Sequence, residues 1–300
     1  MPVFFHPDTP DLPLSPGHRF PAGKYRLLRD KVLAESILGR ARLLPSPAAT
    51  REDLERAHAP AYVSAVFDGT LAPEIQRRIG LPWSPVLVAR SRATVGGSLA
   101  AARAALDEGI SGQLAGGTHH AHHDFGSGYC TFNDLAVAAL TLLDERRVDR
   151  VAIVDCDVHQ GDGNAAILTG DPGVLVVSLH GAKNFPFRKV PSDVDIDLPD
   201  GTEDRAYLAA LADALTHVAA FRPDLVLYLS GADPLASDTL GRLALTFDGL
   251  AERDRFVFEF CRRRAIPMSI AIGGGYAKPI TDSVEAYANT FRVAAEVFGL

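Results

Sequence analysis

Four short apolar runs, Val151–Val154, Val174–Leu179, Leu225–Leu229 and Met268–Ile272, are rich in β-branched residues or leucine and bounded by turn residues. Continuous rather than alternating apolarity marks strands covered on both faces, so these runs predict a mostly parallel sheet. Between them lie segments with helical periodicity: Asp134–Arg147, Glu203–Phe221, Gly249–Arg264 and Pro279–Val297. Asn133 or Asp134 is placed to cap the first, and the acidic Glu203 and Asp204 open the second. Strands alternating with helices predict an α/β fold with helices on both faces of the sheet. The N-terminal third differs, with Pro-rich turns at Pro7–Pro21 and Pro45–Pro47 and helical patterns near Lys24–Leu38 and Arg51–Ala65. No low-complexity linker and no internal repeat interrupts the chain, which predicts one domain over residues 1–300.

Composition agrees with a globular chain. Of 300 residues, 47% are hydrophobic and 22% charged, near the globular average. The 30 Lys+Arg against 37 Asp+Glu leave −7, with no basic run of the kind that tracks a phosphate backbone, so nucleic acid is not expected as a direct ligand. The acid excess mildly favours cationic substrates and is ordinary for solubility. Cys130, Cys156 and Cys261 are scattered without a CxxC spacing and read as reduced thiols. The N-terminal stretch lacks the basic and apolar regions of a signal peptide. The Ala-rich Ser98–Leu106 is too short to span a bilayer. A cytoplasmic protein without membrane attachment is the expectation.

In open parallel sheets, ligands bind beyond the carboxyl ends of the strands, and the unusual polar residues collect there. Asp155, Asp157 and His159 follow VAIV, Ser178 and His180 close VLVVSLH, Asp233 follows LVLYLSGA, and Gly273–Tyr276 follow SIAI. A further group, Gly116–Asp124, follows Gln113–Ala115. The fold would bring these distant positions to one rim.

DCDVH with Asp233 downstream offers a carboxylate, an imidazole and a distant second carboxylate, an open three-ligand set that leaves room for water and substrate. Zinc fits, and iron(II), cobalt or manganese would also accept such oxygen-rich donors. In GGTHHAHHD, adjacent His119 and His120 point to different sides, which suits a general base and an electrostatic partner better than joint chelation. Asp155 and Asp162 are candidates to fix their tautomers, while His122 and His123 read as loop residues. The glycines of GGGY allow close backbone approach and would deliver the Tyr276 hydroxyl as an oxyanion donor. No GxxxxGK[ST] occurs, and no GxGxxG opens a helix after a strand.

GGTHHAHHDFGSGYCTFNDLAVAAL, VAIVDCDVHQGDGNA, LYLSGADPLASDTLGRLALT and IGGGYA together resemble the signature blocks of the histone deacetylase family. HRFPAGKYRLLRD and DPLASDTLGRL are most similar to its class IV branch and the bacterial relatives of that branch, and the resemblance runs from about Phe4 to the C-terminus. It implies an arginase-like fold with a parallel sheet of about eight strands. It further implies zinc held by Asp157, His159 and Asp233, with Fe2+ or Co2+ as substitutes. His120 matches the general base and acid, His119 its electrostatic partner, and Asp155 and Asp162 the carboxylates that orient them. Tyr276 matches the residue that polarises the substrate carbonyl, and Gly128 and Tyr129 match the tunnel that grips a lysine stem. A structural potassium ion is implied at Asp155, Asp157, His159, Ser178 and Leu179, largely through backbone oxygens. The implied activity is removal of acetyl or another acyl group from lysine in peptides or proteins.

Gln160 stands where many relatives carry a second histidine, and Thr118 replaces a bulkier aromatic residue; neither is a metal ligand or proton carrier. Phe185 or Phe187 is the candidate far wall of the tunnel, and Trp83 is either a rim residue or packing. The alternatives are a deacetylase of polyamines or other small amides, a ureohydrolase on the same fold, and a non-catalytic acyl-lysine binding protein.

Overall fold

The computed structural model describes residues 1–300. Its centre is one eight-stranded sheet in which every pairing is parallel. The strands are β1 (Val3–His6), β2 (Arg42–Pro45), β3 (Ile110–Gln113), β4 (Val151–Asp155), β5 (Val174–Gly181), β6 (Val194–Leu198), β7 (Leu225–Gly231) and β8 (Met268–Gly273). Their spatial order is β2-β1-β3-β8-β7-β4-β5-β6. The predicted runs are the central strands β4, β5, β7 and β8, and the arginase-like α/β architecture implied by the resemblance is present.

Side chains alternate across this sheet and divide the interior into two cores. On β4, Val151 and Ile153 pack with Leu225, Leu227 and Leu229 of β7 on one face; Ala152 and Val154 pack with Val226 and Tyr228 on the other. The first face is covered by α2 (Arg51–Glu55), α3 (Pro60–Asp68), α5 (Pro85–Glu108) and α6 (Asp134–Asp144). The second is covered by α1 (Lys24–Ala34), α8 (Asp204–Phe221), α9 (Phe247–Arg263) and α10 (Ile280–Phe298). Burial of each such valine or leucine contributes about 1.5–3 kcal/mol, so the strand centre is the least replaceable part of the chain.

Three local readings are corrected. The helical pattern at Arg51–Ala65 is two helices, because Pro60 lacks the amide a continuous helix needs and instead starts α3 at its first position. The strand before the histidine loop is Ile110–Gln113, not Gln113–Ala115; it is polar in sequence because Gln113 is buried with its Nε2 donating to Thr94 O and Ser98 Oγ at 2.7 and 2.6 Å. The Ala-rich Ser98–Leu106 is the end of the 24-residue α5, capped by Ser84, whose Oγ accepts from Leu87 N at 3.1 Å. No helix is long and apolar enough to cross a membrane. All three cysteines are buried free thiols.

Candidate active site

Parallel pairing puts all the carboxyl ends on one side, and the polar residues singled out above meet there. Register places Asp155 opposite Ser178 of β5 and Leu229 of β7, while Gly231 of β7 lies opposite Gly273 of β8. Just beyond these ends, Asp157, His159 and Asp233 each offer one ligand atom, all within 4.8 Å of one another.

Backbone amides fix the two carboxylates. His159 N donates to Asp157 Oδ1 and Val158 N to Asp233 Oδ1, both at 2.9 Å. His159 Nδ1 lies 2.9 Å from Asp157 Oδ1 and 3.1 Å from Asp233 Oδ2, although the latter oxygen, fully buried, has no aligned hydrogen bond. Burial pushes the Asp233 carboxyl up to about 7, helped by repulsion from Asp157. Burial would lower His159, but its two carboxylate neighbours outweigh it and raise the imidazole to about 10. Two carboxylates and an imidazole converging with an unpartnered buried oxygen are donors suited to a cation, and the residues present fit a divalent metal. Asp155 turns away from this set: its Oδ2 is 2.7 Å from His119 Nδ1 and its Oδ1 accepts from Asp157 N at 3.1 Å.

His119 and His120 lie side by side, ring centroids 4.2 Å apart, and His120 meets the His159 ring at 5.8 Å. Burial works against charge on His119, yet Asp155 and Asp157 overcome it and hold the imidazole up at about 9. Burial and the adjacent His119 charge push His120 down to about 4, even though Asp162 Oδ1 is 2.6 Å from its Nδ1. The two neighbouring imidazoles are therefore driven in opposite directions, His119 up and His120 down.

His122 lies on the loop, as expected, and is also engaged there. Its Nε2 reaches the second oxygen of Asp162 at 3.0 Å, so Asp162 binds two imidazoles. His123 stays a surface loop residue, bonded to Ala57 O at 2.9 Å. The loop itself is clasped by the buried Asp134, which accepts from Gly117 N, Thr118 N and Thr118 Oγ1 at 3.0, 2.7 and 2.8 Å. Asn133, not Asp134, caps α6, accepting from Ala136 N at 2.9 Å.

Tyr276 follows a backbone turn that only glycine tolerates: at Gly274 φ is +60°, and a Cβ would stand 2.0 Å from Asp233 Oδ2. The turn is anchored by Lys24, whose ammonium donates to Gly274 O and, at 3.1 Å, to Gly275 O. Asp238 accepts from Tyr276 N at 2.6 Å and from Leu240 N and Gly241 N at 2.8 and 2.9 Å. Asp238 and Lys24 escaped the sequence reading; the Asp followed by turn amides in SDTLG was the available signal for the first.

His119, His120, His122, Asp157, His159, Asp162 and Tyr276 line one cavity of about 1160 Å³. Gly128 and Tyr129 form part of its wall; Gly128 has φ +53°, and a Cβ there would come 2.6 Å from His120 Cδ2. Phe185 faces His120 with ring centroids 4.9 Å apart, while Phe187 is 87% exposed at the mouth. Trp83 does not line the cavity; its indole donates to Val66 O at 2.8 Å, a packing role. Gln160 ties down a neighbouring loop through Val190 N, Val190 O and Asp195 Oδ1. Ser178 Oγ lies 2.9 Å from His180 Nδ1, and Leu179 is buried beside it in β5.

The histone deacetylase domain family matches residues 18–291, and the chain belongs to this family. It is 43% identical to an uncharacterized protein of Picosynechococcus sp., with 99% of each chain covered. Histone deacetylase 2 of Arabidopsis thaliana is 29% identical, with 89% of this chain and 73% of that one aligned. A probable deacetylase of Archaeoglobus fulgidus is 27% identical, with 98% and 85% aligned. The chain is thus a hydrolase of the deacetylase class.

Proposed function

We propose that this hydrolase, acting as a single domain over residues 1–300, removes acetyl or another acyl group from the ε-amine of lysine. The observation that carries the reading is the junction of His120, neutral and backed by Asp162, with the three-donor set at His159, its ring centroid 5.8 Å away. Asp157, His159 and Asp233 would hold the metal, for which zinc is the first choice and iron(II) or cobalt the substitutes. When bound, the ion would lower the pKa of water and polarise the acyl carbonyl.

The chain's own groups account for the remaining steps. His120 takes the proton of the attacking water at Nε2, since Asp162 occupies the Nδ1 side and fixes that tautomer. The same Nε2 then protonates the departing lysine amine. His119, held by Asp155 at 2.7 Å, is the electrostatic partner that disfavours charge on His120. The Tyr276 hydroxyl, kept protonated by burial, donates to the developing oxyanion. Gly128 and Tyr129 grip the lysine stem, and Phe185 closes the opposite wall next to His120. A potassium ion would be held by Asp155, Asp157, His159, Ser178 and Leu179, where register sets Ser178 against Asp155.

A polyamine substrate is disfavoured because the cavity lining holds no carboxylate besides the deep Asp157 and Asp162, and the nearby Asp200 is already paired with Lys183 and Arg242. The motif likeness to the class IV branch and a cytoplasmic location belong to the same reading. The test is a panel of peptides carrying acetyl-, lactyl-, butyryl- or long-chain-acylated lysine, with acetylated polyamine and urea as controls, assayed with purified zinc-loaded protein. Turnover of acyl-lysine with none of the controls supports the proposal; turnover of polyamine alone replaces it.

A further inference from the structure

The deep site is acidic and aromatic, but the mouth above it has the opposite sign. Seven cationic side chains line the cavity against two carboxylates, Asp157 and Asp162, in a chain whose net charge is −7. Both carboxylates are buried and already engaged with imidazoles. Arg19, Arg77, Arg78, Arg90 and Arg188 have no carboxylate partner, and four of the five are exposed, Arg90 being half-buried. Lys183 and Arg242 share the single Asp200 at 3.5 and 3.2 Å, so one positive charge of that pair is also unmatched.

These cations come from separate pieces of chain: the loop before α1, the end of α4 (Pro73–Ile79), α5, the segment after β5 and the segment after β7. Five independent segments delivering the same sign to one opening is convergence on a ligand rather than the solvated face of one helix. Six of the seven are arginine, the side chain whose planar fork matches a carboxylate bidentately. Arg78 and Arg90 further sit against aromatic rings, their guanidinium carbons 4.3 Å from the Phe125 ring centroid and 4.2 Å from that of Tyr25. Field lines of one sign focused in a low-dielectric cleft raise the local concentration of the opposite charge.

We infer that this enzyme acts on acyl-lysine embedded in acidic polypeptide, with Asp or Glu side chains beside the acylated lysine meeting the arginines of the mouth. The inference rests on the lysine-deacylase reading and adds the class of substrate to it. Only the acyl-lysine arm reaches the reaction centre, so the rim must read the residues flanking it. A polyamine, or a lysine set among other lysines, meets repulsion at the same place.

The experiment uses the full-length, zinc-loaded chain and three acetyl-lysine peptides that differ only in flanking residues: acidic, uncharged and basic. Binding is read by fluorescence anisotropy of labelled peptides and turnover by kcat/KM. At low salt the acidic peptide should exceed the basic one by about tenfold or more in both readouts, converging near 1 M salt, where the screening length falls to about 3 Å. Arg77→Glu together with Arg188→Glu should collapse or reverse the acidic-to-basic ratio when each is normalised to the uncharged peptide. Equal binding of the three peptides, or preference for the basic one, overturns the inference. So does displacement of the acidic peptide by a single-stranded oligonucleotide of equal charge at far lower concentration than by unlabelled peptide, which would assign the rim to nucleic acid. If no peptide is hydrolysed, the deacylase reading fails, while the anisotropy ratio still decides what the rim recognises.

Discussion

Asp162 and His120 are joined by a 2.6 Å contact between Oδ1 and Nδ1, and the other Asp162 oxygen holds His122 at 3.0 Å. Burial alone would raise this carboxyl, yet the two imidazoles hold it well below the usual carboxylate range, so it stays an anion. A fixed anion behind His120 sets its tautomer and offsets the positive charge that His120 acquires when it takes a proton.

Replacing Asp162 by Asn should therefore cost turnover of an acetyl-lysine peptide roughly a hundredfold or more, as expected when a general base loses its orientation. His122→Gln should cost less, because His120 keeps its partner. Steady-state kinetics on the purified variants, with circular dichroism to verify folding, check both. Equal losses in the two would mean that His122 is itself a proton carrier.

Tyr276→Phe removes one donor aimed at the cavity and nothing that the structure uses for packing, since its backbone is held through Asp238. Loss of one oxyanion donor typically costs about 10²–10³ in kcat. The variant should show that loss at unchanged Tm and unchanged metal content.

Asp157→Ala and Asp233→Ala each remove one of the three donors at the strand ends. Elemental analysis should find about one zinc per wild-type chain and far less in either variant. A ligand that binds only the folded chain adds about 2.7 kcal/mol at a hundredfold excess over its Kd, so zinc should raise the wild-type Tm and barely move that of the variants.

His58 lies beneath the histidine loop, accepting from Asn133 N at Nε2 (2.8 Å) with Nδ1 2.9 Å from His122 O. Burial pushes it down to about 4 from an ordinary 6.5. Below pH 6.5 the unfolded chain takes up a proton that the folded chain refuses until about pH 4, so stability is complete above that window and falls on acidification. The loss is about 2 kcal/mol by pH 5. Thermal melts at pH 7 and pH 5 should show a smaller drop in His58→Gln than in wild type, whatever the variant's absolute Tm.

Legibility in the sequence followed burial. Strands β4, β5, β7 and β8 lie inside the sheet and are uniformly apolar. The edge strands β2 (RLLP) and β6 (VDIDL) face solvent in part and carry no such run. Asp157 and His159 stood out because a strand end compresses ligands into a few residues. His122 did not, because nothing in a cluster of four histidines marks it as a second partner of a carboxylate already assigned to the adjacent His119 and His120. The cationic mouth was invisible because its arginines are spread from Arg19 to Arg242, and the whole-chain charge has the opposite sign.

The most direct test of the account compares wild type with His120→Ala on one acetyl-lysine peptide, both zinc-loaded and matched in metal content. The account predicts clear release of free lysine amine by wild type and a loss of about 10²–10⁴ in the variant, with zinc and Tm retained. Wild-type rates in His120→Ala would contradict it.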